Sequence, residues 1–577
     1  MARRMGLGVV LLAMGVLTAM TATADTAAVR PGPGGRFDLP MLDFAAPGTV
    51  LRTGTPASAG LDPAPIETAD GALDRWTEGA QPLFPGAVSL LVHNGVVVDR
   101  HAVGNAVRYA DATTELPPSQ RVAMRADTIF DVASVSKLFT SIAVLCLIDD
   151  GKVRLDERVA TYLPEFGVNG KQGITVQQLL THTSGLEPDL PLWRDWPDKA
   201  SRIKAVMDHA PSNPPGSTYT YSDLNLITLG VLVERVGGRP LDAFVADRIT
   251  TPLGLKDTGY NPPAAKLGRI AATEYETAPP RGMVRGQVHD ENAWSLGGVS
   301  GHAGVFSTAD DLAVLGQMIL NGGTYRGARV LREDAVRRML TNYNSAFPDD
   351  AHGLGVELDQ RWYMGGLSGP RTAGHTGFTG TSLVVDPASR SIAILLTNRV
   401  HPTRSGASIN PARQAVATGL ARALAVRSPG GGTHWSSLLD DNATATLTTP
   451  TLRASGPPRI SFQAFVDTDA GDGLVVETSG DGTAWRPVTA RVRGVGAPTG
   501  PVVSLSGSGH RSWWTVNATA PVGGDITLRW RFTTDSHYTG RGVIIDRIVV
   551  TDGSHVLLNG EKEPHLLRPL GWRPESR

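Results

Sequence analysis

One stretch of the chain, residues 138–148, has almost no polar face when it is read as a helix. A helix that is apolar on every side must be surrounded by other elements, because any exposed side would leave apolar groups in water. The chain has 577 residues, and a domain usually takes roughly 100 to 200. The apolar stretch therefore predicts a sizeable domain with a helix through its core.

Ser134 and Lys137 stand at the head of this apolar stretch, three positions apart. Side chains at positions i and i+3 share a helix face, so the lysine amine can approach the serine hydroxyl. The first turn also offers an unpaired backbone N–H and the positive end of the helix dipole, which suit a developing oxyanion. Burial is expected to lower the pKa of Lys137 toward that of a usable base. The pair predicts a serine that can be acylated.

The spacing alone does not decide this, because Ser201 and Lys204 repeat it. The residues after Ser201 form only an apolar stripe with charged residues opposite, which predicts a surface helix. For Ser134, the alternative interpretation is a helix-capping serine beside a solvated lysine.

Composition excludes several classes of protein. The formal net charge is -1 with 19% charged residues, so no basic field indicates nucleic acid binding. Residues 1–24 carry Arg3 and Arg4, an apolar run over 7–20 and a small-residue end, which is typical of a secretory signal peptide. No later segment reaches 18 consecutive apolar residues, so we expect no transmembrane segment after signal removal and a secreted protein.

After the signal, residues 25–62 are rich in Pro, Gly, Ala and Thr and predict an irregular leader. Residues 87–92 and 96–98 flank Asn94-Gly95, which predicts a β-hairpin, and a second antiparallel pair is predicted over 381–385 and 391–397. The pattern between these hairpins is mostly helical. Residues 63–427 therefore predict one α+β domain, an antiparallel sheet with a helical insertion.

Residues 428–434 predict a flexible linker, and the texture then changes to short strands with frequent turn residues. Residues 435–577 therefore predict an all-β sandwich. Its acids Asp467, Asp469, Asp472 and Asp481 offer calcium ligands or are ordinary loop acids, and the sequence predicts neither a metal site nor a cofactor.

Two further motifs follow Ser134 along the chain. Tyr221-Ser222-Asp223 follows a Pro-Gly turn, and its tyrosine can exchange protons with Ser134 if nearby cations depress the tyrosine pKa. The alternative is a packed tyrosine with Asp223 capping the next helix. His375-Thr376-Gly377 precedes a predicted strand, where a small strand edge lets a substrate backbone approach closely.

These motifs, in this order, resemble the serine β-lactamase-like superfamily, which includes class C β-lactamases, D-alanyl-D-alanine carboxypeptidases and family VIII-type esterases. The resemblance extends over roughly residues 63 to 425. It also includes Leu179-Leu180-Thr181-His182-Thr183-Ser184-Gly185-Leu186, Val288-His289-Asp290-Glu291-Asn292-Ala293 and Gly301-His302-Ala303-Gly304-Val305-Phe306-Ser307-Thr308. The C-terminal region more weakly resembles the jelly-roll-like sandwiches of secreted bacterial peptidases.

The resemblance implies a β-lactamase/transpeptidase-like fold and assigns roles to residues of this chain. Ser134 is implied as nucleophile, Lys137 as its base partner and Tyr221 as general acid/base. The backbone N–H groups of Ser134 and Phe378 are the implied oxyanion donors. Substrate binding is assigned to Asp223, His375, Thr376 and Gly377, and Trp294 is a further candidate that ordinary packing explains equally well.

Two departures from the motifs bear on the substrate. Asp223 stands where many members have asparagine, and His375 replaces a lysine, so the fixed charge expected opposite a substrate carboxylate becomes dependent on pH. We therefore expect a secreted serine hydrolase, free or associated with the cell wall, that cleaves an ester or a cell-wall-derived amide lacking this carboxylate. A D-amino-acid peptidase or weak β-lactamase is the alternative. A non-enzymatic reading is a wall-binding protein that is acylated without turnover, with the sandwich contacting glycan.

Overall fold

The computed structural model describes residues 44–79, 82–469, 471–507, 512–536 and 540–575. The predicted signal peptide and the first part of the predicted leader lie outside these residues. Among the described residues, no helix combines the length and the apolar character needed to cross a bilayer.

The part of the chain before residue 427 alternates strands and helices. Its strands are β1 Arg52–Thr53, β2 Gly86–His93, β3 Val96–Val107, β4 Val122–Ala123, β5 Phe130–Asp131, β6 Gly259–Tyr260, β7 Tyr275–Thr277, β8 Pro280–Met283, β9 Val305–Ser307, β10 Thr324–Tyr325, β11 Ala328–Arg329, β12 Glu357–Leu358, β13 Ala373–Gly377, β14 Thr381–Asp386 and β15 Ser391–Thr397. Its helices are α1 Ala64–Trp76, α2 Ser136–Asp149, α3 Val159–Tyr162, α4 Val176–Leu180, α5 Leu192–Asp195, α6 Lys199–Asp208, α7 Asp223–Gly237, α8 Leu241–Val245, α9 Thr251–Leu253, α10 Glu291–Ser295, α11 Ala309–Leu320, α12 Glu333–Met339, α13 Arg361–Met364 and α14 Asn410–Ala423.

The two predicted hairpins meet in one sheet with the order β1-β3-β2-β15-β14-β13-β12. Strands β2 and β3 turn through Asn94 and Gly95, which have φ values of 48° and 75°. Strand β15 pairs antiparallel with β2, so strands from both ends of this region lie side by side. The predicted α+β class is confirmed. The predicted leader contributes β1, a short parallel edge strand on β3.

Helices cover both faces of this sheet. Helices α1 and α14 pack together on one face, and α11 packs on β2, β14 and β15. Helix α2 lies in the large core on the α11 side, and its residues from Ser136 to Leu147 are all buried. The prediction of a fully surrounded helix is confirmed.

The nucleophile segment is held against strand β13. Strand β5 leads into a 3₁₀ turn, Ala133–Val135, and then into α2. A Cβ atom at Gly377 would come within 2.3 Å of the Val132 carbonyl oxygen and 2.1 Å of Thr381 Oγ1. Only a glycine at this position lets the end of β13 approach the turn so closely.

The C-terminal region is all β apart from one 3₁₀ turn in its described part. Its strands are β16 His434–Ser437, β17 Thr444–Thr448, β18 Leu452–Ala454, β19 Arg459–Asp467, β20 Gly473–Ser479, β21 Arg486–Pro487, β22 Ala490–Arg493, β23 Pro501–Val502, β24 Ser504–Leu505, β25 Trp513–Thr519, β26 Gly524–Thr533, β27 Gly542–Asp552, β28 His555–Asn559, β29 Arg568–Leu570 and β30 Arg573–Glu575.

These strands form two sheets over a separate core. One sheet has the order β23-β22-β25-β19-β27-β16-β30, and the other has the order β21-β20-β26-β17-β29. Trp514, Trp530 and Phe462 are among the buried residues of the core. The predicted all-β sandwich is confirmed. Trp513 Nε1 donates to the Arg427 carbonyl oxygen at 2.9 Å, which ties the sandwich to the segment after α14.

Candidate active site

Ser134 and Lys137 are in direct contact. The lysine amine donates to Ser134 Oγ at 2.8 Å. Ser134 lies in the 3₁₀ turn that precedes α2, where Ala133 adopts a φ of 47° that residues other than glycine rarely take. The other pair with the same spacing behaves as predicted for a surface. Ser201 forms a capping box with Asp198, and Lys204 pairs with Asp208 in solvent.

Lys137 is buried, with 1% of its side chain exposed, and its partners keep it charged. Its amine lies 2.7 Å from Asp223 Oδ1 and donates to the His302 carbonyl oxygen at 3.2 Å. Burial lowers the pKa of Lys137, but Asp223 and Tyr221 outweigh burial and raise the pKa above its ordinary value. The expectation that burial would make this lysine a ready base is therefore wrong, because the sequence could not show that Asp223 lies beside it.

Tyr221 lies over the same lysine, whose amine is 4.8 Å from the centre of its ring. The His182 ring also stacks on Tyr221, with ring centres 4.7 Å apart. Burial raises the pKa of Tyr221 and is opposed only in part by Lys137 and by hydrogen bonding with Lys137 and Ser134. The expected depression of the tyrosine pKa is also wrong, so the resting site pairs a charged lysine with a neutral phenol.

His375 is buried and stays neutral at physiological pH. Its Nδ1 faces the Thr376 carbonyl oxygen at 2.7 Å, and its ring lies 6.0 Å from that of Tyr221. Burial, reinforced by the charge of Lys137, lowers the pKa of His375 to about 3. The expectation of a charge that depends on pH near neutrality is wrong, and His375 packs beside Tyr221 as an uncharged ring.

The two expected oxyanion donors are available. Within the described residues, neither the Ser134 nor the Phe378 backbone N–H donates a hydrogen bond. Phe378 is 59% exposed, and its ring contacts the His289 ring at 5.7 Å and the Arg404 guanidinium at 5.6 Å. These contacts fix the loop that carries the Phe378 N–H.

Asp131 is a site residue that the sequence motifs did not indicate. One of its oxygens accepts the Ala133 N–H at 2.9 Å, and the other accepts the His289 N–H at 2.6 Å. Its carbonyl oxygen accepts from Thr379 Oγ1 at 2.8 Å. One buried residue therefore joins the nucleophile turn, the His289 loop and the oxyanion loop. A single acid two residues before a turn gives no sequence signal that distinguishes it.

A cavity of about 480 Å³ opens beside Ser134. The predicted residues Ser134, Tyr221, Thr376, Gly377 and Phe378 line it. Lys137 and three candidates for substrate binding are not among the lining residues. Asp223 is engaged by Lys137 and His375 packs beside Tyr221, whereas Trp294 lies on α10 with Arg281 over its ring at 5.0 Å. The cavity wall thus gives no support to a substrate contact for Trp294.

The cavity carries positive charges that the motifs did not predict. Arg399 and Arg413 line it, and within the described residues neither has a carboxylate within ion-pair distance. Arg413 Nη2 donates to the Gly377 carbonyl oxygen at 2.7 Å, and its buried Nε has no hydrogen-bond partner in the described part of the chain. A fixed cation therefore stands beside the Thr376-Gly377 edge, although the third motif lacks a lysine.

Glu357 also lines the cavity. The neighbouring Tyr363 hydroxyl lowers the pKa of Glu357, although within the described residues neither this hydroxyl nor Glu357 Oε2 forms a hydrogen bond of good geometry. Burial raises the pKa of Glu357 to about 7 against the smaller effects of Tyr363, Arg413 and Lys137. The charge of the cavity therefore changes near neutral pH.

Two groups of acids and histidines near the site are already neutralised by basic side chains. Asp223, Asp290 and His302 lie close together, but Asp223 pairs with Lys137, and His302 Nε2 lies 2.9 Å from Asp290 Oδ1. Glu274, Glu276 and His289 form the second group, in which Arg404 and Arg281 pair with the two glutamates. Neither set fits a metal ion, because its carboxylates already have cations.

A profile of the Beta-lactamase family matches residues 74–418, which contain all of this site. The chain belongs to that family. This Beta-lactamase-family chain is 33% identical over 401 residues to an Escherichia coli (strain K12) protein named "Putative D-alanyl-D-alanine carboxypeptidase". The match covers 64% of this chain and 90% of the relative. A protein of the same name from Salmonella agona (strain SL483) is 31% identical, with the same coverage.

Among solved structures, a penicillin-binding protein homologue from Caulobacter crescentus is 23% identical, with a TM-score of 0.49. That match covers 63% of this chain and 97% of the solved chain. As a member of the Beta-lactamase family, the chain is an enzyme of the serine-hydrolase kind.

The Asp131 contacts generate a stability prediction. Asp131→Asn replaces one accepting oxygen with a donor, so one of the two backbone N–H groups loses its partner. We expect the free energy of unfolding to fall by about 1–3 kcal/mol and kcat to fall with it, because Ala133 and the oxyanion loop are no longer held together. Urea unfolding and steady-state kinetics measure both. The exposed Asp156→Asn should leave both unchanged, and equal stability of wild type and Asp131→Asn would contradict this role.

Proposed function

We propose that this chain is an exported serine hydrolase that cleaves an ester or a cell-wall-derived amide through an acyl-enzyme on Ser134. The observation that carries the proposal is the 2.8 Å contact between Lys137 and Ser134, together with the Ser134 and Phe378 backbone N–H groups, which donate no hydrogen bond to any described residue. A serine hydroxyl with a proton-transfer partner and donors for the oxyanion is the arrangement that acyl transfer requires. Export rests on residues 1–24 alone, and protein recovered outside the cell should begin at Asp25.

In the proposed chemistry, Ser134 Oγ attacks the substrate carbonyl carbon and its proton passes to Lys137. Because Lys137 is already charged, it must give up a proton to accept one, and Asp223 Oδ1 at 2.7 Å is placed to receive it. The carbonyl oxygen becomes the oxyanion held by the Ser134 and Phe378 N–H groups. The leaving group departs with the proton of the Tyr221 phenol, and water releases the acyl group by the reverse proton movements.

The cavity favours a substrate that carries an anionic group near the scissile bond. Arg413 and Arg399 line the cavity with Ser134 and supply the charge that His375 lacks. This revises the expectation of a substrate without a carboxylate, and it favours a cell-wall-derived peptide amide or a carboxylate-bearing ester. The carboxypeptidase name of the Escherichia coli relative agrees with that class.

A fluorophosphonate tests the nucleophile. Wild type should gain the mass of one phosphonyl group and lose its hydrolysis of p-nitrophenyl esters, whereas Ser134→Ala should neither gain mass nor hydrolyse, with kcat lower by at least ~10³-fold. Ser201→Ala is the matched control, because that serine has the same spacing to a lysine on the surface. Labelling at a residue other than Ser134 would refute the proposal. An acyl-Ser134 that persists without turnover on esters, muropeptides or β-lactams would favour the binding-protein alternative.

Asp223→Asn tests the proton path. Removing the carboxylate leaves burial opposed only by Tyr221, so the pKa of Lys137 should fall, and a neutral lysine should form at lower pH. We expect the ascending limb of the kcat/KM profile to move to lower pH by more than one unit, with a lower maximum because the proton acceptor is lost. Asp195→Asn, an exposed acid, should leave the profile in place. An unchanged profile in Asp223→Asn would remove Asp223 from the proton path.

Glu357→Gln tests the cavity charge. Glu357 ionises near pH 7, so above that pH its negative charge offsets Arg413 and weakens the binding of an anion. For a carboxylate-bearing ester, we expect KM to rise roughly tenfold from pH 6 to pH 8 in wild type and to stay flat in Glu357→Gln. The matched uncharged ester should show no such rise in either protein. The same KM rise in both proteins would exclude Glu357 as its source.

A further inference from the structure

Three acidic side chains converge at one end of the C-terminal sandwich. Asp469 and Asp472 lie in the connection between β19 and β20, and Asp535 follows β26. One carboxylate oxygen from each residue lies within 4.8 Å of the others. The three acids lie among the strands of the C-terminal sandwich, whereas Ser134 lies in the region before residue 427.

Asp472 is the member of this group with a buried carboxylate oxygen that lacks a hydrogen bond among the described residues. Only 1% of the residue is exposed, and its Oδ1 accepts the Asp535 N–H at 2.9 Å. Its Oδ2 is buried and has no hydrogen bond among the described residues. A buried carboxylate oxygen that has lost its water and found no donor is costly, so such an atom indicates a missing ligand.

The charges around Asp472 have the same sign. Neither Asp469 nor Asp472 forms an ion pair with a basic side chain in the described part of the chain. Burial and then the charges of Asp469 and Asp535 raise the pKa of Asp472 to about 6. The missing ligand must therefore be a cation that accepts oxygen donors.

Asp481 and Asp467, the other two acids that the sequence offered as calcium ligands, accept hydrogen bonds from backbone N–H groups. Asp481 accepts N–H groups from Thr483 and Ala484, both at 2.8 Å, within its own turn. Asp467 Oδ2 accepts the Arg541 N–H at 3.3 Å. Of the four acids that the sequence offered as calcium ligands, the structure brings two together and adds Asp535.

We propose that Asp469, Asp472 and Asp535 bind one calcium ion. Calcium takes six to eight oxygen ligands at about 2.3–2.6 Å in a flexible geometry, so carboxylate oxygens up to roughly 5 Å apart can share one ion. An oxygen-only set excludes the softer metals that select nitrogen or sulfur. The ion joins the connection between β19 and β20 to the end of β26 and thereby stabilises the sandwich.

The test uses the full chain after treatment with EDTA and dialysis. Calcium should raise the temperature of unfolding, followed by tryptophan fluorescence, by roughly 3 °C or more at concentrations about 100 times Kd. Isothermal titration should find one calcium ion per chain. Asp472→Asn should lose both effects, whereas Asp481→Asn, the matched control, should retain both. In EDTA, Asp472→Asn should unfold no earlier than wild type, because it removes a repulsion.

Absence of a calcium effect in wild type, or an equal effect in Asp472→Asn, overturns the proposal. If Asp472→Asn does not fold, Asp469→Asn is judged by the same two measurements. Because Ser134 and its partners are not involved, ester hydrolysis by Asp472→Asn at 25 °C should equal that of wild type. Loss of the calcium effect and loss of the proposed hydrolase function are therefore distinguishable.

Discussion

The buried charge of Lys137 is the constraint on which the rest of the site depends. Lys137, with 1% of its side chain exposed, donates hydrogen bonds to Ser134 Oγ and the His302 carbonyl oxygen, and Asp223 at 2.7 Å supplies the opposite charge. Removing one partner of such a buried pair typically costs about 3–5 kcal/mol, because a charge is left without compensation. The nucleophile turn, the first turn of α7 and the Gly-rich loop around His302 are therefore held around one ammonium group.

The need to neutralise Lys137 gives a physical reason for Asp223 at a position where many family members have asparagine. An amide could accept a hydrogen bond from Lys137 but could not neutralise it, whereas the carboxylate keeps the lysine protonated and takes part in the proposed proton transfer. The same logic explains the neutral state of His375. A second positive charge close to Lys137 in a buried site would be repelled, so the imidazole stays uncharged.

The acidic clusters of the active-site region and of the sandwich differ in whether their carboxylates have partners. In the active-site region, Lys137, Arg281 and Arg404 form ion pairs with the acids of these clusters. These acids therefore do not need a metal ion to neutralise them. In the sandwich, Asp472 Oδ2 has no hydrogen-bond donor among the residues that the structure describes, and the neighbouring carboxylates repel its charge. The contrast distinguishes acids that are paired with basic side chains of the protein from the acids of the proposed calcium site.

The sequence by itself determined the fold class and the order of the chemical motifs. The Asn94-Gly95 hairpin, the apolar helix behind Ser134 and the alternating strands after residue 435 all depend on local periodicity, which a single chain displays directly. The identity of Ser134 and Lys137 as a contacting pair also followed from helix spacing. The site roles themselves stay predictions until the kinetic tests are made.

Only the tertiary structure decided the protonation states and the charge of the cavity. The pKa of Lys137 depends on Asp223, 86 positions away, and the cation beside Gly377 comes from Arg413 on the last helix of the domain. Asp131, Glu357 and the pairing of Asp472 with Asp535 are equally invisible in the sequence. Each depends on which side chains meet across long stretches of chain, because electrostatic and hydrogen-bond energies depend on distance in space and not on spacing in sequence.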